Sequence, residues 1–368
     1  MDWDRLLDRA ADLADRGRGE VEPNPRVGAL AILDGKVVGE GWHQYWGGPH
    51  AEEKAIGAAR DAGHEVDTVV VTLEPCSSAG PDKKRPSCTN LLTEVGVRRV
   101  CVGCLDPDPR HQGRGLDLLR EAGIQVDGPR PTDRLDRLLV RFRRWLSSPR
   151  PWVLAKWAMT LDGKTATHTR HARWISGEAA LVRAHVLRAR ADGVMVGIGT
   201  ALADDPELTV RLTQGQDPVR IIVDPDAQLR LDAKLWQTID RAPVWVVVRE
   251  GADQSRRDEL EKVGARLFVV PEVDGRLRVD VPHALADLRR NGIQRLVVEG
   301  GSALLGQLYE GACFDQVVVV VAPKLCGGRA ALTPVGGTGI ETMDEALMLE
   351  EHYSTPLGDC VEIGGFVG

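Results

Sequence analysis

Three residues far apart in the chain, His50, Cys76 and Cys88, have the chemistry to share one metal ion. Any fold of this sequence that uses them so must bring them together. A histidine and two thiolates satisfy three positions of a tetrahedral zinc ion and leave the fourth open to water. Glu52 stands two residues after the histidine, in His50-Ala51-Glu52, where it can shuttle protons for that water without being a ligand. Cys76 closes the triplet Glu74-Pro75-Cys76, which is fed by the apolar run Thr68–Leu73. Taken singly, each residue has a plainer reading, since an isolated cysteine is most often a small buried hydrophobe. Together, with Pro75 before Cys76 and a strand leading into it, they point to a hydrolytic zinc centre.

A chain of 368 residues exceeds what one core usually organises, so two domains are expected. The first, residues 1–146, alternates strands and helices. Its opening, MDWDRLLDRAADLADRG, lacks the basic and apolar regions of an export signal and reads as a helix. Strands at 28–33 and 36–40 flank Asp34-Gly35, a hairpin turn pair. A helix over 51–62 follows Pro49-His50 and stops at Gly63. The buried strand 68–73 is followed by a helix near 89–94, a strand at 99–103 and a helix near 115–122. Open α/β sheets collect ligands at the C-terminal ends of their strands, which is where Cys76 falls. The stretch 141–151 is basic, ends in Ser-Ser-Pro-Arg-Pro and marks a boundary before a fresh strand at 152–157. The second domain, residues 150–368, is again α/β, with strands at 192–197, 219–224, 243–248, 266–270, 295–299 and 316–322. Several are continuous apolar runs, as strands covered on both faces should be.

Composition narrows the partners. With 47 basic and 54 acidic residues the net charge is −7, which argues against nucleic acid as a partner. It leaves room for a locally basic pocket that takes one small phosphorylated ligand. No apolar run approaches the roughly 20 residues of a membrane span. Seven scattered cysteines, an odd number, suit a reducing cytoplasm better than a disulfide framework.

The flanking residues are more specific. H-x-E followed by P-C and a second cysteine is the signature of the zinc deaminases, whose cysteines are usually separated by two residues; here eleven separate them. The stretches EPNPRVGALAI, DGKVVGEGWH, GGPHAEEKAI, VTLEPCS and CVGCLDPDP, with HQGRG after the last, resemble the deaminase half of the bifunctional pyrimidine deaminase/reductase family of riboflavin biosynthesis. In that family the second cysteine also comes late. The resemblance implies a cytidine-deaminase-like three-layer domain in which Asn24 and His43 help hold the pyrimidine. Three departures fall around the substrate: a longer loop between Cys76 and Cys88, Ser78 in place of the family's histidine, and Asp108 in place of its asparagine. Lys83, Lys84 and Arg85 in that loop are candidates for a ribose phosphate, or form a solvated tip.

Beyond residue 150 no G-x-G-x-x-G follows the first strand, which weakens a Rossmann reading. What stands there instead is LysTrpAlaMetThrLeuAspGlyLys from Lys156, Trp174-Ile175-Ser176, Gly197-Ile198-Gly199-Thr200, the run from Asp204 to Arg211, and Glu299-Gly300-Gly301. The two glycine-rich turns follow strands and would let backbone amides approach a diphosphate. As a set, from about 150 to 337, these resemble the reductase half of the same family, which implies a dihydrofolate-reductase-like fold that uses NADPH. By that resemblance Ala158, Trp174, Thr200, Asp204 and the turn Gly301, Ser302, Ala303, Leu304, Leu305 contact NADPH. Lys156, Arg188, Leu208, Arg211 and Glu299 meet the substrate, with Arg188 and Arg211 suited to its phosphate. Lys324 either approaches a phosphate or caps a turn. Cys101, Cys104, Cys313, Cys326 and Cys360 read as structural.

The sequence therefore predicts a cytoplasmic bifunctional enzyme that uses Zn2+ and NADPH. It would deaminate 2,5-diamino-6-ribosylamino-4(3H)-pyrimidinone 5′-phosphate. It would then reduce the ribosyl side chain to give 5-amino-6-(5-phosphoribitylamino)uracil, as a homodimer or homotetramer free of nucleic acid and membrane. The alternative is an active reductase whose deaminase half is inactive or takes another pyrimidine.

Overall fold

A computed structural model describes residues 1–77, 87–272 and 279–368. Ser78, Lys83, Lys84 and Arg85 lie outside the described residues. The backbone divides into two compact units, Met1–Ser148 and Pro149–Gly368.

The first unit is built on α1 (Trp3–Ala14), β1 (Gly28–Leu33), β2 (Lys36–Trp42), α2 (Ala51–Asp61), β3 (Thr68–Leu73), α3 (Cys88–Val95), β4 (Arg99–Cys104), α4 (Arg114–Glu121), β5 (Gln125–Asp127) and α5 (Asp133–Leu146). Its five strands lie in the order β2-β1-β3-β4-β5. The Asp34-Gly35 turn between β1 and β2 has positive φ at both residues, 49° and 77°, as a tight hairpin of the favoured hand requires. β1 also runs antiparallel to β3, and β3, β4 and β5 are parallel.

Strand alternation divides the core. Ala29, Ala31, Val69, Val71, Val100 and Val102 pack under α2, α3 and α4. Leu30, Ile32, Val70 and Cys101 face the other way, under α1 and α5. The sheet is thus covered on both faces, giving three layers, which is why these strands read as unbroken apolar runs. The basic stretch that marks a boundary in the sequence is, up to Leu146, the end of α5. Leu135, Leu138, Leu139, Phe142 and Trp145 form its buried stripe, and Arg143 and Arg144 sit favourably in its last turn.

The second unit contains β6 (Trp152–Thr160), α6 (Glu178–Ala189), β7 (Gly193–Gly197), α7 (Ile198–Asp204), β8 (Val219–Val223), β9 (Val244–Arg249), α8 (Gln254–Lys262), β10 (Arg266–Val270), α9 (Val281–Arg290), β11 (Arg295–Val298), α10 (Ser302–Glu310), β12 (Gln316–Ala322), β13 (Leu349–Leu357) and β14 (Cys360–Val367). They form a nine-stranded sheet, β10-β9-β8-β7-β11-β6-β12-β14-β13. All pairings from β10 to β12 are parallel, and the C-terminal hairpin β13–β14 closes the sheet antiparallel. That hairpin is not foreseen from the sequence: β13 is an exposed edge strand whose side chains carry no apolar run. No helix among the described residues is long and apolar enough to cross a membrane.

Helix-to-sheet contact in the first unit depends on glycine. A Cβ on Gly28 would lie 1.9 Å from the Ala10 carbonyl oxygen of α1, whereas a Cβ on Gly57 of α2 would meet nothing within 4 Å. Gly28→Ala is expected to lower stability by about 3 kcal/mol, because the atoms it meets are backbone. Gly57→Ala is expected to be neutral or to stabilise by up to about 1 kcal/mol, through helix propensity. Urea denaturation of both variants, followed by circular dichroism, checks the pair.

Candidate functional site

His50 is the N-cap of α2, in extended backbone, and Glu52 lies in the first turn of that helix with 3% of its surface exposed. β3 ends at Leu73 and delivers Glu74-Pro75-Cys76 at its C-terminal end. Cys88 is the first residue of α3, whose N-cap Ser87 accepts a hydrogen bond from the Asn90 N–H. Two helix starts and one strand end thus meet. His50 Nδ1 is 3.2 Å from Cys88 Sγ and 3.7 Å from Cys76 Sγ, and the three ligand atoms all lie within 4.8 Å of one another. Metal–ligand bonds of about 2.0–2.3 Å in tetrahedral array separate ligand atoms by roughly 3.5–3.8 Å, so this donor set fits zinc.

The electrostatics suit proton transfer. Burial pushes the Glu52 carboxyl above its ordinary value, opposed by the His50 ring and reinforced by Cys76. A hydrogen bond from Cys88 and contact with the His50 ring hold the Cys76 thiol far down, to about 3. Cys88 moves up, first because it shares its hydrogen with Cys76 and then because it is buried.

One wall of the site is a chain of polar contacts. His43 Nδ1 lies 2.9 Å from the Pro49 carbonyl oxygen, which fixes it as the donor and leaves Nε2 to accept from Asn24 Nδ2 at 3.1 Å. The His43 and His50 rings meet edge to face, with centroids 5.6 Å apart. The segment carrying Asn24 is tied down by a buried ion pair that sequence reasoning missed. Arg26 Nε donates to Glu22 Oε1 at 2.9 Å, and Glu22 Oε2 accepts from the Gly19 N–H. Nothing local announces it, because a spacing of four residues signals such a pair only on a helix, and this segment lies outside any helix. Asp108 is buried, and its carboxylate is gripped by Arg110, with Nη2 to Oδ2 at 2.5 Å; that pairing holds it below its ordinary value.

In the second unit Lys156 on β6, Arg188 on α6 and Glu299 after β11 converge. Arg188 Nε and Nη2 donate to the two Glu299 oxygens, both at 2.6 Å, and Nη1 donates to the Thr209 carbonyl at 3.2 Å. Their side chains are 12% and 10% exposed. Burial alone would raise the Glu299 carboxyl; the charge and hydrogen bonds of Arg188, with Lys156 behind them, hold it below its ordinary value. Burial lowers Lys156, opposed by Glu299. Arg211 Nη1 donates to Thr209 Oγ1 and approaches Glu207, and its side chain is 43% exposed. Leu208 is buried with φ of +56°, a strained value for this residue type. His185, one turn before Arg188, escaped the sequence reading; its Nδ1 accepts the Arg211 N–H at 3.0 Å.

Gly300 and Gly301 have φ of 83° and 89°, and Gly301 is the N-cap of α10, which has no side-chain cap. Thr200 Oγ1 lies 3.3 Å from where a Cβ on Gly301 would sit. An uncapped helix start beside a glycine cradle fits the diphosphate of a dinucleotide. The side chains of Leu304 and Leu305 point into the core, so only their backbone faces that turn, while Ala303 is exposed. Ala158 is partly buried on β6. Asp204 ends α7 and its carbonyl accepts from Arg173. Trp174 is 66% exposed, and its carbonyl accepts from Lys324 Nζ at 2.8 Å. Burial pushes the Cys101 thiol up to about 12, in keeping with a structural cysteine.

Residues 151–361 match the family model of the RibD C-terminal domain, and residues 1–104 match that of the cytidine and deoxycytidylate deaminase zinc-binding region. The chain is 36% identical over 351 residues to the riboflavin biosynthesis protein RibD of Aquifex aeolicus, covering 95% of this chain and 94% of that one. It is 34% identical over 341 residues to the RibD of Escherichia coli, covering 90% of each. Among solved structures, Acinetobacter baumannii RibD aligns with a TM-score of 0.71 at 29% identity, over 100% of this chain and 99% of that one. The diaminohydroxyphosphoribosylaminopyrimidine deaminase/5-amino-6-(5-phosphoribosylamino)uracil reductase of Thermotoga maritima aligns with a TM-score of 0.67 at 30% identity, with the same coverage.

The Arg188–Glu299 pair predicts an acid response. Because the folded carboxyl titrates below its unfolded value of 4.5, the pair contributes stability above that pH and loses it as pH falls through the lower folded value. Glu299→Gln should cost about 3 kcal/mol at pH 7, by leaving a buried guanidinium without its partner. The gap to wild type should narrow once pH drops below 4.5, as urea midpoints measured across the acid range would reveal.

Proposed function

This chain belongs to the RibD family of riboflavin-biosynthesis enzymes, and on that premise we propose how its residues carry the two reactions. The enzyme is bifunctional, a zinc-dependent pyrimidine deaminase joined to an NADPH-dependent reductase. The convergence of His50, Cys76 and Cys88 around the buried Glu52 carries the reading of the first half.

When bound by those three residues, zinc supplies a Lewis acid that makes water nucleophilic near neutral pH. Glu52 takes the proton of the attacking water and returns it to the 2-amino group, which leaves as ammonia. Its raised pKa, caused chiefly by burial, brings it closer to the pH at which one group can serve as both base and acid. Asn24 and His43 orient the pyrimidine against Glu52. Their mutual hydrogen bond fixes both side chains before substrate arrives.

In the second half NADPH, when bound, supplies a hydride to C1′ of the ribosyl group. Thr200 and the turn Gly300-Gly301 at the start of α10 receive its diphosphate, with Ala158, Trp174, Asp204 and the backbone of 302–305 completing the site. Lys156 and Glu299 hold the sugar. Arg188 keeps Glu299 ionised, with three of its five N–H groups engaged by Glu299 and Thr209. The more exposed Arg211 is left to take the 5′-phosphate.

A deaminase half that is inactive is not favoured, because the three metal-ligand residues and the buried Glu52 beside them are in place and Arg110 neutralises Asp108. The free state of the described cysteines supports a cytoplasmic location.

Glu52→Gln should lower ammonia release from the diaminopyrimidine phosphate by roughly 10²–10⁴-fold. NADPH oxidation on supplied deaminated substrate should stay at the wild-type rate. Persistent ammonia release in a coupled assay that follows the two products separately would refute the role given to Glu52.

A further inference from the structure

We propose that Glu74 is a positioning residue for the metal site, clamping the Cys76 segment to the start of α4 and to the loop before it; this inference rests on the zinc reading of His50, Cys76 and Cys88. Glu74 is 4% exposed, and its carboxylate accepts three backbone N–H groups. Oε2 takes those of Asp106 at 3.1 Å and Gly113 at 2.9 Å, and Oε1 takes that of Gly115 at 2.7 Å. Its own N–H donates to the Cys104 carbonyl at 2.8 Å. One side chain at the end of β3 therefore fixes three points on a segment more than 30 residues away in sequence.

The arrangement answers a need on each side. α4 starts after Gly113, which has φ of 81° and no side chain to cap the helix. Helix starts usually take a cap from a nearby Ser, Thr, Asp or Asn. Here a carboxylate from another strand supplies it, with the sign the helix dipole favours. On the other side, Cys76 follows Glu74 by two residues, and Pro75 between them removes one backbone rotation, so a shift of Glu74 reaches Cys76 through a short segment with less slack. The contact is close: a Cβ on Gly115 would lie 2.2 Å from the Pro75 carbonyl oxygen and 3.1 Å from Glu74 Oε1. Towards α3, Cys76 is held by different groups. Its carbonyl accepts the Thr89 N–H at 3.2 Å, and its sulfur accepts the Cys88 N–H at 3.3 Å. Glu74 thus fixes the side of Cys76 that α3 does not. It also anchors the loop wall, since Asp106, whose N–H it accepts, in turn accepts the Asp108 N–H at 2.9 Å.

Metal–ligand bonds in well-formed sites hold within about 0.2 Å of their usual lengths, and loss of groups that orient ligands typically lowers affinity about 10–100-fold. In Glu74→Gln one oxygen becomes an NH2 that faces a backbone N–H. Zinc ion alone, titrated against a chromogenic chelator with the full chain at pH 7, should bind about tenfold more weakly to this variant. Deamination kcat at saturating zinc should fall as well. Glu74→Asp, which keeps both acceptors on a shorter arm, should lie between the two. A purely structural role would lower the unfolding temperature but leave zinc affinity and kcat of the folded protein unchanged. Zinc affinity within about twofold of wild type, with unchanged kcat, would overturn the proposal. Should Glu74→Gln fail to fold by circular dichroism, Glu74→Asp decides by the same two readouts. Cys76→Ser separates the premise from the inference. Wild-type zinc affinity in that variant would sink the zinc reading itself. Lost binding there, beside wild-type behaviour in the Glu74 variants, would sink only the clamp.

Discussion

A strand buried on both faces admits a polar side chain only where the fold supplies it a partner, as it does for Thr72, which accepts the Gly28 N–H, and for Arg220, which donates to the Leu235 carbonyl, and this constraint organises both units. β3 is buried from Thr68 to Leu73, and its first polar group with freedom to act comes just past the end, in Glu74-Pro75-Cys76. β11 is buried from Arg295 to Val298 and yields Glu299 and the Gly300-Gly301 turn immediately after. Covering a parallel sheet with helices on both sides sends chemistry to the C-terminal edges, where helix starts also arrive. In the first unit that edge collects His50 and Glu52 from α2 and Cys88 from α3. In the second it collects the start of α10.

Two buried glutamates show how environment assigns roles to the same side chain. Glu52 is raised because burial dominates and no guanidinium among the described residues grips it, so it is suited to exchange protons. Glu299 is lowered because a bidentate Arg188 outweighs its burial, so it stays an anion that orients what it touches. Desolvation acts on both; the nearby charge decides the direction. Asp108 follows the second pattern. The acid at this position brings a charge that Arg110, two residues on, absorbs locally.

The metal site was legible because its residues sit in short motifs of distinct chemistry, and the strands were legible because double coverage makes them apolar throughout. Other features were hidden for a common reason. Glu74 bonds to partners 32 to 41 residues away, and nothing in Glu74-Pro75-Cys76 announces them. His185 looks like any histidine on a helix until Arg211 donates to it from a loop 26 residues on. The hairpin β13–β14 escaped notice because an exposed edge strand has no apolar signature. The stretch 141–151, read as a boundary, does hold the division between the units at Ser148, but its first residues belong to α5, whose apolar residues keep helical spacing through Trp145.

The sequence by itself singled out His50, Cys76 and Cys88 as a candidate donor set, Glu52 as the candidate proton carrier beside it, and the alternation of strands and helices, because residue type and short-range period carry that information locally. Only the tertiary structure decided which cations and carboxylates pair. It committed Arg188 to Glu299 rather than to solvent, Arg110 to Asp108, and the Glu74 carboxylate to three distant amides. Partner choice follows from which strand ends and helix starts the folded sheet sets side by side, and from the energy lost when a polar group is buried without a partner.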